Sequence, residues 1–137
     1  MPGPSYVLDK TYQNNVSGGV SAYKAMINAA TDGSKDGQAI LPSAASQIIV
    51  GVTQEAQTLQ YENVEVRILG ITKAYANAAI NAGQQVETSS AADGSFQAVN
   101  TSGTNVHQVA GLAVTSAAAQ GNTFYLLLTP GATCLGA

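Results

Sequence analysis

The residues able to support nucleophilic catalysis are few and scattered. His107 is the single histidine and Cys134 the single cysteine, so a Cys–His or Ser–His pair would have to be built from isolated residues. His107 falls inside a predicted strand and Cys134 lies close to the end of the sequence, which favours a structural reading of both. We therefore expect no catalytic residues and no enzymatic activity.

The acidic residues form neither a metal-binding nor a hydrolase pattern. Asp32 and Asp36 each precede a glycine, as turn residues do, and Lys35 lies between them. A zinc site would need several His or Cys ligands at short spacing, and the sequence offers one of each. The glutamates could meet in space as a carboxylate pair, but nothing distinguishes any two of them. Phosphate-binding glycine motifs are absent, so we predict no metal and no cofactor.

Short strands are the elements that would position these residues. Residues 64–69 begin by alternating apolar and charged side chains, which predicts a half-buried strand, and residues 47–53 form a β-branched run of strand length. Residues 106–115 and 123–129 are the last predicted strands. Residues 20–27 fit one face of either a helix or a strand, and their surroundings favour a strand. Short strands separated by turn signals predict an all-β fold, a small β-barrel or sandwich.

Two further features complete the predicted organisation. Residues 78–83 predict one short helical turn that ends at Gly83. Residues 1–15 contain two prolines and two tyrosines without a regular period, which predicts an extended N-terminal arm, with a disordered tail as the alternative. The expected organisation is an arm over residues 1–15 and a single β-barrel domain over residues 16–137.

A weak internal repeat runs through the sequence. Residues 49–52 followed by 63–69 resemble residues 109–112 followed by 122–128, and each half reads strand, loop, strand. Chance similarity is the alternative explanation. Glycine stands at the centre of the first strand in both halves, which predicts a bulge or a tight bend there.

The charge content of the chain is low. Lys, Arg, Asp and Glu make up 9% of the 137 residues, where about 25% is usual for a soluble domain. Few charges mean little repulsion between copies, so the surface tolerates permanent contacts with itself or a partner; a merely neutral monomer is the alternative. With a net charge of −3 and no basic stripe, nucleic acid is not an expected partner. Without a secretory signal or a long apolar run, neither is a membrane.

Five motifs follow one another along the chain. They are the strand with Gly51-Val52-Thr53-Gln54, the strand 64–69 ending at Gly70, the segment Ala79-Ile80-Asn81-Ala82-Gly83, the Ala92-Asp93-Gly94 hairpin and the closing stretch from Gly111 to Leu128. This succession resembles that of phage capsid cement proteins, also called head decoration proteins. The resemblance implies a small β-barrel that adds to the outer surface of a tailed-phage capsid, often as a trimer. There it would clamp neighbouring capsid subunits.

The low charge and the resemblance together suggest a function. We expect a structural virion protein, made in the host cytoplasm, that binds the major capsid protein at the capsid surface and stabilises the shell as a homo-oligomer, with a trimer favoured. The arm would pair with a capsid strand or with a neighbouring subunit by strand addition, so the candidate interface residues are Pro2, Pro4, Tyr6 and Tyr12. The alternative is a fibre knob or a carbohydrate-binding surface module that uses exposed tyrosines.

Overall fold

The fold is built from strands. The computed structural model describes residues 7–135, apart from the side chains of residues 130, 131 and 135. The strands of this region are β1 (Leu8–Asn14), β2 (Ala25–Asn28), β3 (Gln38–Ile40), β4 (Gly51–Thr53), β5 (Asn63–Leu69), β6 (Ile71–Tyr75), β7 (Gln85–Thr88), β8 (Phe96–Ala98), β9 (Val106–Ala113) and β10 (Thr123–Leu135). The all-β prediction is confirmed. No helix in the described region is long and apolar enough to cross a membrane.

The strands form two halves with the same strand order. The first half, β1–β5, closes into a barrel in the order β1-β3-β2-β4-β5, because β1 also pairs with β5. The second half, β6–β10, is a five-stranded sheet in the order β6-β10-β9-β7-β8. A parallel bridge between Ala76 and Phe96 brings β8 back to the end of β6. When β6–β10 are matched in sequence order to β1–β5, the two strand orders are the same ring read in opposite directions. Each strand of the second half therefore has the same neighbours as its counterpart in the first.

Individual backbone contacts repeat sixty positions apart. Val20 and Gln57 form an antiparallel bridge in the first half, and Ile80 and Ala117 form the same bridge in the second. In both halves the two residues exchange a pair of N–H···O hydrogen bonds of 2.7–2.9 Å. The internal repeat of the sequence is therefore a structural duplication.

A glycine at one point of each half allows two strands to approach closely. A Cβ atom on Gly51 would lie 2.1 Å from the carbonyl oxygen of Arg67, and one on Gly111 would lie 2.1 Å from that of Leu127. No side chain fits at either point, so the predicted tight bends take the form of close backbone crossings. These contacts make Leu127 the structural counterpart of Arg67. The sequence repeat aligns Arg67 with Leu126 instead, which is one position too early.

The two halves share buried side chains. One core cluster combines residues of the first half, such as Ile49 and Val52, with residues of the second, among them Phe96 and Phe124. The two phenylalanine rings meet edge to face with centroids 6.3 Å apart, a favoured aromatic geometry. A second cluster lies within the first half, and its buried members are Tyr12, Val20, Met26, Ala39, Val64 and Val66. Burial of apolar surface thus joins the halves to each other.

The predicted helical turn over residues 78–83 is wrong. The N–H of Gln84 donates to the carbonyl oxygen of Asn81 at 3.1 Å, which makes a β-turn, and Gly83 occupies its left-handed position with φ of +88°. Ile80 is already paired with Ala117. The alanines of this segment favour a helix, but the pairing of Ile80 with Ala117 overrides that preference.

The predicted N-terminal arm is also corrected. Leu8–Asn14 is strand β1 of the barrel formed by the first half, paired antiparallel with β5 and parallel with β3. Alternate residues Tyr12 and Asn14 turn into the barrel, where both are buried. The barrel therefore begins before residue 16, and residues 1–6 lie outside the described residues.

Candidate interaction surface

Charge is distributed unevenly between the halves. Of the five Lys/Arg and eight Asp/Glu residues, only Lys73, Glu87 and Asp93 come after residue 70, and residues 94–137 contain none. Glu87 is buried, and Asp93 lies 3.5 Å from the amino group of Lys24 in the first half. The second half therefore presents a surface with little net charge, which is the composition found at the centres of protein interfaces.

Five large side chains are exposed on the outer face of β6, β9 and β10. We call this set the apolar face: Ile71, Leu112, Val114, Tyr125 and Leu127, each 37–45% exposed. Leu127 is the register partner of Ile71 on one side and of Leu112 on the other, so these three form a row across three strands. Tyr125 precedes Leu127 by two residues and shares its side of β10. The N–H of Val114 donates to the carbonyl oxygen of Tyr125 at 2.8 Å.

Three of the five equivalent positions in the first half carry charges, namely Asp9, Glu65 and Arg67, whereas Leu112 and Val114 correspond to Val52 and Gln54. Asp9 pairs with Arg67 across β1 and β5, just as Ile71 pairs with Leu127 across β6 and β10. The guanidinium of Arg67 donates from Nε and Nη2 to the two carboxylate oxygens of Asp9, at 2.8 and 3.0 Å. This bidentate geometry is the strongest form of such a pair. A charged pair and an apolar row thus occupy corresponding places in the duplicated fold.

The charged positions affect one another's titration. The hydrogen bond from Arg67 holds the pKa of Asp9 below its usual range, against the opposing effect of partial burial. The same hydrogen bond raises the pKa of Arg67. Glu65, which corresponds to Tyr125, has a raised pKa because its carboxyl group shares a hydrogen bond with Asp9. The first half therefore holds a small, mutually dependent ionic network on this outer face.

The predicted interface residues do not lie on this surface. Pro2, Pro4 and Tyr6 fall outside the described residues. Tyr12 is 9% exposed and packs in the core cluster of the first half. The structure therefore corrects Tyr12 from a contact residue to a core residue, because the two-residue period of β1 turns it inward.

His107 and Cys134 are register partners on β9 and β10. Nδ1 of His107 lies 2.7 Å from Oε2 of Glu87, whose side chain is 1% exposed, and Gln97 donates from Nε2 to the other carboxylate oxygen at 2.9 Å. Both oxygens of this buried carboxylate are therefore satisfied within the fold, as buried polar groups generally are. Within residues 7–135, no group of three His, Cys, Asp or Glu residues is placed to hold a metal ion.

The fold is similar to that of a solved phage structure, the head fiber gp8.5 N base of bacteriophage phi29. The similarity covers 90% of this chain and 95% of that one, with a TM-score of 0.62 and 19% sequence identity. At this identity the likeness shows the fold alone. No protein-family model and no curated protein matches the sequence.

Sequence reasoning missed the apolar face, although one signal for it was readable. Residues 94–137 contain no Lys, Arg, Asp or Glu, and this stretch includes two of the three strands that form the face. The side on which each apolar residue lies could not be read from the sequence.

Proposed function

We propose that this protein is a structural component of a phage virion, a cement or decoration protein that attaches to the outer surface of the capsid and stabilises it. The observation that carries the proposal is the apolar face on a half of the chain with almost no charge. The fold likeness to a head fiber base supports a place on the phage head. The proposed partners are the major capsid protein and further copies of this chain, with a trimer favoured, and the role needs neither enzymatic activity nor a cofactor.

Physical reasoning links this surface to assembly. A contiguous exposed apolar patch is uncommon on a monomer and typically marks an interaction site. Because few ionised groups surround the apolar face, little hydration of charge is lost when a protein surface covers it. An oligomer that binds several capsid subunits at once would also bind more tightly than one copy, since linked contacts raise the effective concentration of each. Modest individual contacts would then suffice to stabilise a capsid.

The test is binding to phage heads. Purified protein would be incubated with heads of the phage that encodes it, prepared without this protein, and the heads sedimented. We expect saturable co-sedimentation and a higher temperature of head disruption. Heads that sediment without the protein, at every concentration tried, would contradict the proposal.

A deletion tests the proposed attachment segment. Because Leu8–Asn14 is a barrel strand, removal of residues 1–15 would destroy the fold, so the informative variant lacks only residues 2–6. This variant should keep the circular dichroism and melting temperature of the full chain but lose most of its binding to heads. Undiminished binding would exclude Pro2, Pro4 and Tyr6 as the attachment residues while leaving the rest of the proposal in place.

A second candidate is a fibre module, which the likeness to a head fiber base favours. In that case the chain would present or anchor a receptor-binding part instead of clamping the shell. Glycan-array binding without any stabilisation of heads would support this candidate over the first.

A further inference from the structure

The loop between β4 and β5 presents two large side chains at its tip. Leu59 is 60% exposed and Tyr61 is 56% exposed. We call these two residues the knob. Sixty positions later, the equivalent loop of the second half carries Ala119 and Gly121. The knob is therefore a feature of the first half alone, as the apolar face is a feature of the second.

The backbone conformation at Tyr61 is one that the turn can form without a tyrosine. Tyr61 has a φ of +69°, and Gly121 has a φ of +83° at the equivalent point. A left-handed conformation is unfavourable for a residue with a Cβ and free of that penalty for glycine. Strained residues often cluster at functional sites. A role for the Tyr61 ring outside the loop would account for its retention at this position.

Hydrogen bonds hold the knob in place. The N–H of Tyr61 donates to the carbonyl oxygen of Asn14 at 2.6 Å, and Nδ2 of Asn14 donates to the carbonyl oxygen of Leu59 at 3.1 Å. Gln60 adds a bond from its Nε2 to Oδ1 of Asn15 at 3.0 Å. A pre-ordered loop loses little conformational entropy on binding, which suits an anchor of an interface.

The knob is remote from the junction between the halves. It precedes Asn63 at the start of β5, whereas the chain enters the second half after Leu69 at the other end of that strand. At about 3.3 Å per residue, these two ends lie about 20 Å apart. This separation from Ile71, the first residue of the apolar face, favours a second copy as the occupant.

Charge also favours a second copy as the occupant. The knob is flanked by Glu55 and Glu62, both exposed, with no basic residue between them. The apolar face is bordered by Lys73, the exposed register partner of Tyr125. We propose that the knob of one copy docks on the apolar face of a second copy, with these acidic residues toward Lys73. The proposal specifies the oligomer contact of the proposed function and rests on that oligomer, but not on capsid binding.

Such a contact joins two different surfaces. Each copy offers one knob and accepts one, which is a heterologous interface, and these interfaces generate rings where the rotation closes. A face-to-face dimer would instead use the same surface on both copies. The two arrangements can be told apart by mixing variants.

The duplication supplies substitutions that the fold is known to accommodate. Tyr61→Gly introduces the residue of the second half, and Ile71→Asp with Leu127→Arg introduces the charged pair of the first half. Analytical ultracentrifugation of the wild type, without capsids, should show a stable oligomer. Each variant should sediment as a monomer while its melting temperature stays within a few degrees of wild type. As a control, Ile48→Gln changes an apolar residue that is 63% exposed elsewhere and should leave the oligomer intact.

Mixing the two variants is the decisive step. The knob variant retains its apolar face and the face variant retains its knob, so an equimolar mixture should form a one-to-one heterodimer that neither forms alone. Leu59→Ala, with the alanine of the second half, gives a second knob variant should Tyr61→Gly fail to fold. The proposal is overturned if wild type is monomeric, if the knob variants remain oligomeric, or if the mixture stays monomeric. Since no capsid is present, these outcomes are independent of the head-binding test.

Discussion

Replacing His107 with alanine is expected to destabilise the fold. The imidazole is the hydrogen-bond partner of Glu87 Oε2 at 2.7 Å, and the side chains of the two residues are 12% and 1% exposed. Without the ring, Oε2 of Glu87 stays buried and loses this hydrogen bond, while Gln97 still donates to Oε1. The cost is therefore that of leaving a buried carboxyl oxygen without its hydrogen-bond partner.

The magnitude follows from the burial of the two partners. Leaving a buried polar group without a partner typically costs about 1–3 kcal/mol, and more where the group is charged. Because the Glu87 side chain is 1% exposed, we expect about 2–3 kcal/mol. For a chain of this length that corresponds to a fall in melting temperature of about 6–12 °C.

The assay is urea denaturation followed by circular dichroism, with two matched variants. Removing both partners in Glu87→Leu/His107→Leu eliminates the buried carboxyl group together with its partner, and should recover much of the stability lost in the single mutant. Cys134→Ala alters the register partner of His107 and should change stability by less than about 1 kcal/mol. A His107→Ala protein within about 0.5 kcal/mol of wild type would refute the reasoning, as would a double mutant no more stable than the single one. Loss of any activity in His107→Ala would therefore not by itself identify a catalytic histidine.

Three further predictions concern the duplication and the ionic network. Gly51→Ala and Gly111→Ala should each cost at least about 1–3 kcal/mol in urea denaturation, because the new Cβ meets a carbonyl of the partner strand; a tolerated substitution at either site would contradict the close crossing. Tyr61→Gly should raise the free energy of unfolding by up to about 1 kcal/mol or leave it unchanged, since relief of the left-handed conformation at least offsets the greater conformational entropy of glycine in the unfolded chain. A clear loss of stability in thermal denaturation would contradict this. Arg67 lowers the pKa of folded Asp9 below its usual value of 3.8, so the stability from this pair is present above that value and is lost as the pH falls through the lower folded pKa. Wild type and Asp9→Asn should therefore converge in stability in strong acid, and a constant difference down to about pH 2 would refute the assignment.

The strands with a clear side-chain pattern were predictable, and β1 was not. Residues 64–69 alternate strongly, and β5 lies where that pattern placed it. Strand β1 is mostly polar, and its inward positions include Asn14, fully buried and bonded to the loop carbonyl of Leu59. Its place in the sheet depends on pairing with β5, whose register partners lie fifty to about sixty residues further along the chain, and a local pattern carries no information about such a partner.

The apolar face escaped prediction for a related reason. In β10 the residues 124–128 are all apolar or aromatic, so the sequence does not show which side is covered. A continuous apolar run is typical of a strand buried on both sides. In the structure Phe124, Leu126 and Leu128 are buried while Tyr125 and Leu127 are exposed. The tertiary fold decides that half of this run faces outward.

The duplication makes that outward half informative. Both halves share one strand order and the same close crossings, so the fold requires a similar core and the same glycines in each. It does not fix the outer face, since an Asp9–Arg67 pair and an Ile71–Leu127 pair occupy the same register. The charged version is the more soluble one, and the fold accommodates it. An exposed apolar row in the second half therefore has no cause in folding, and a partner surface that covers it explains why it is there.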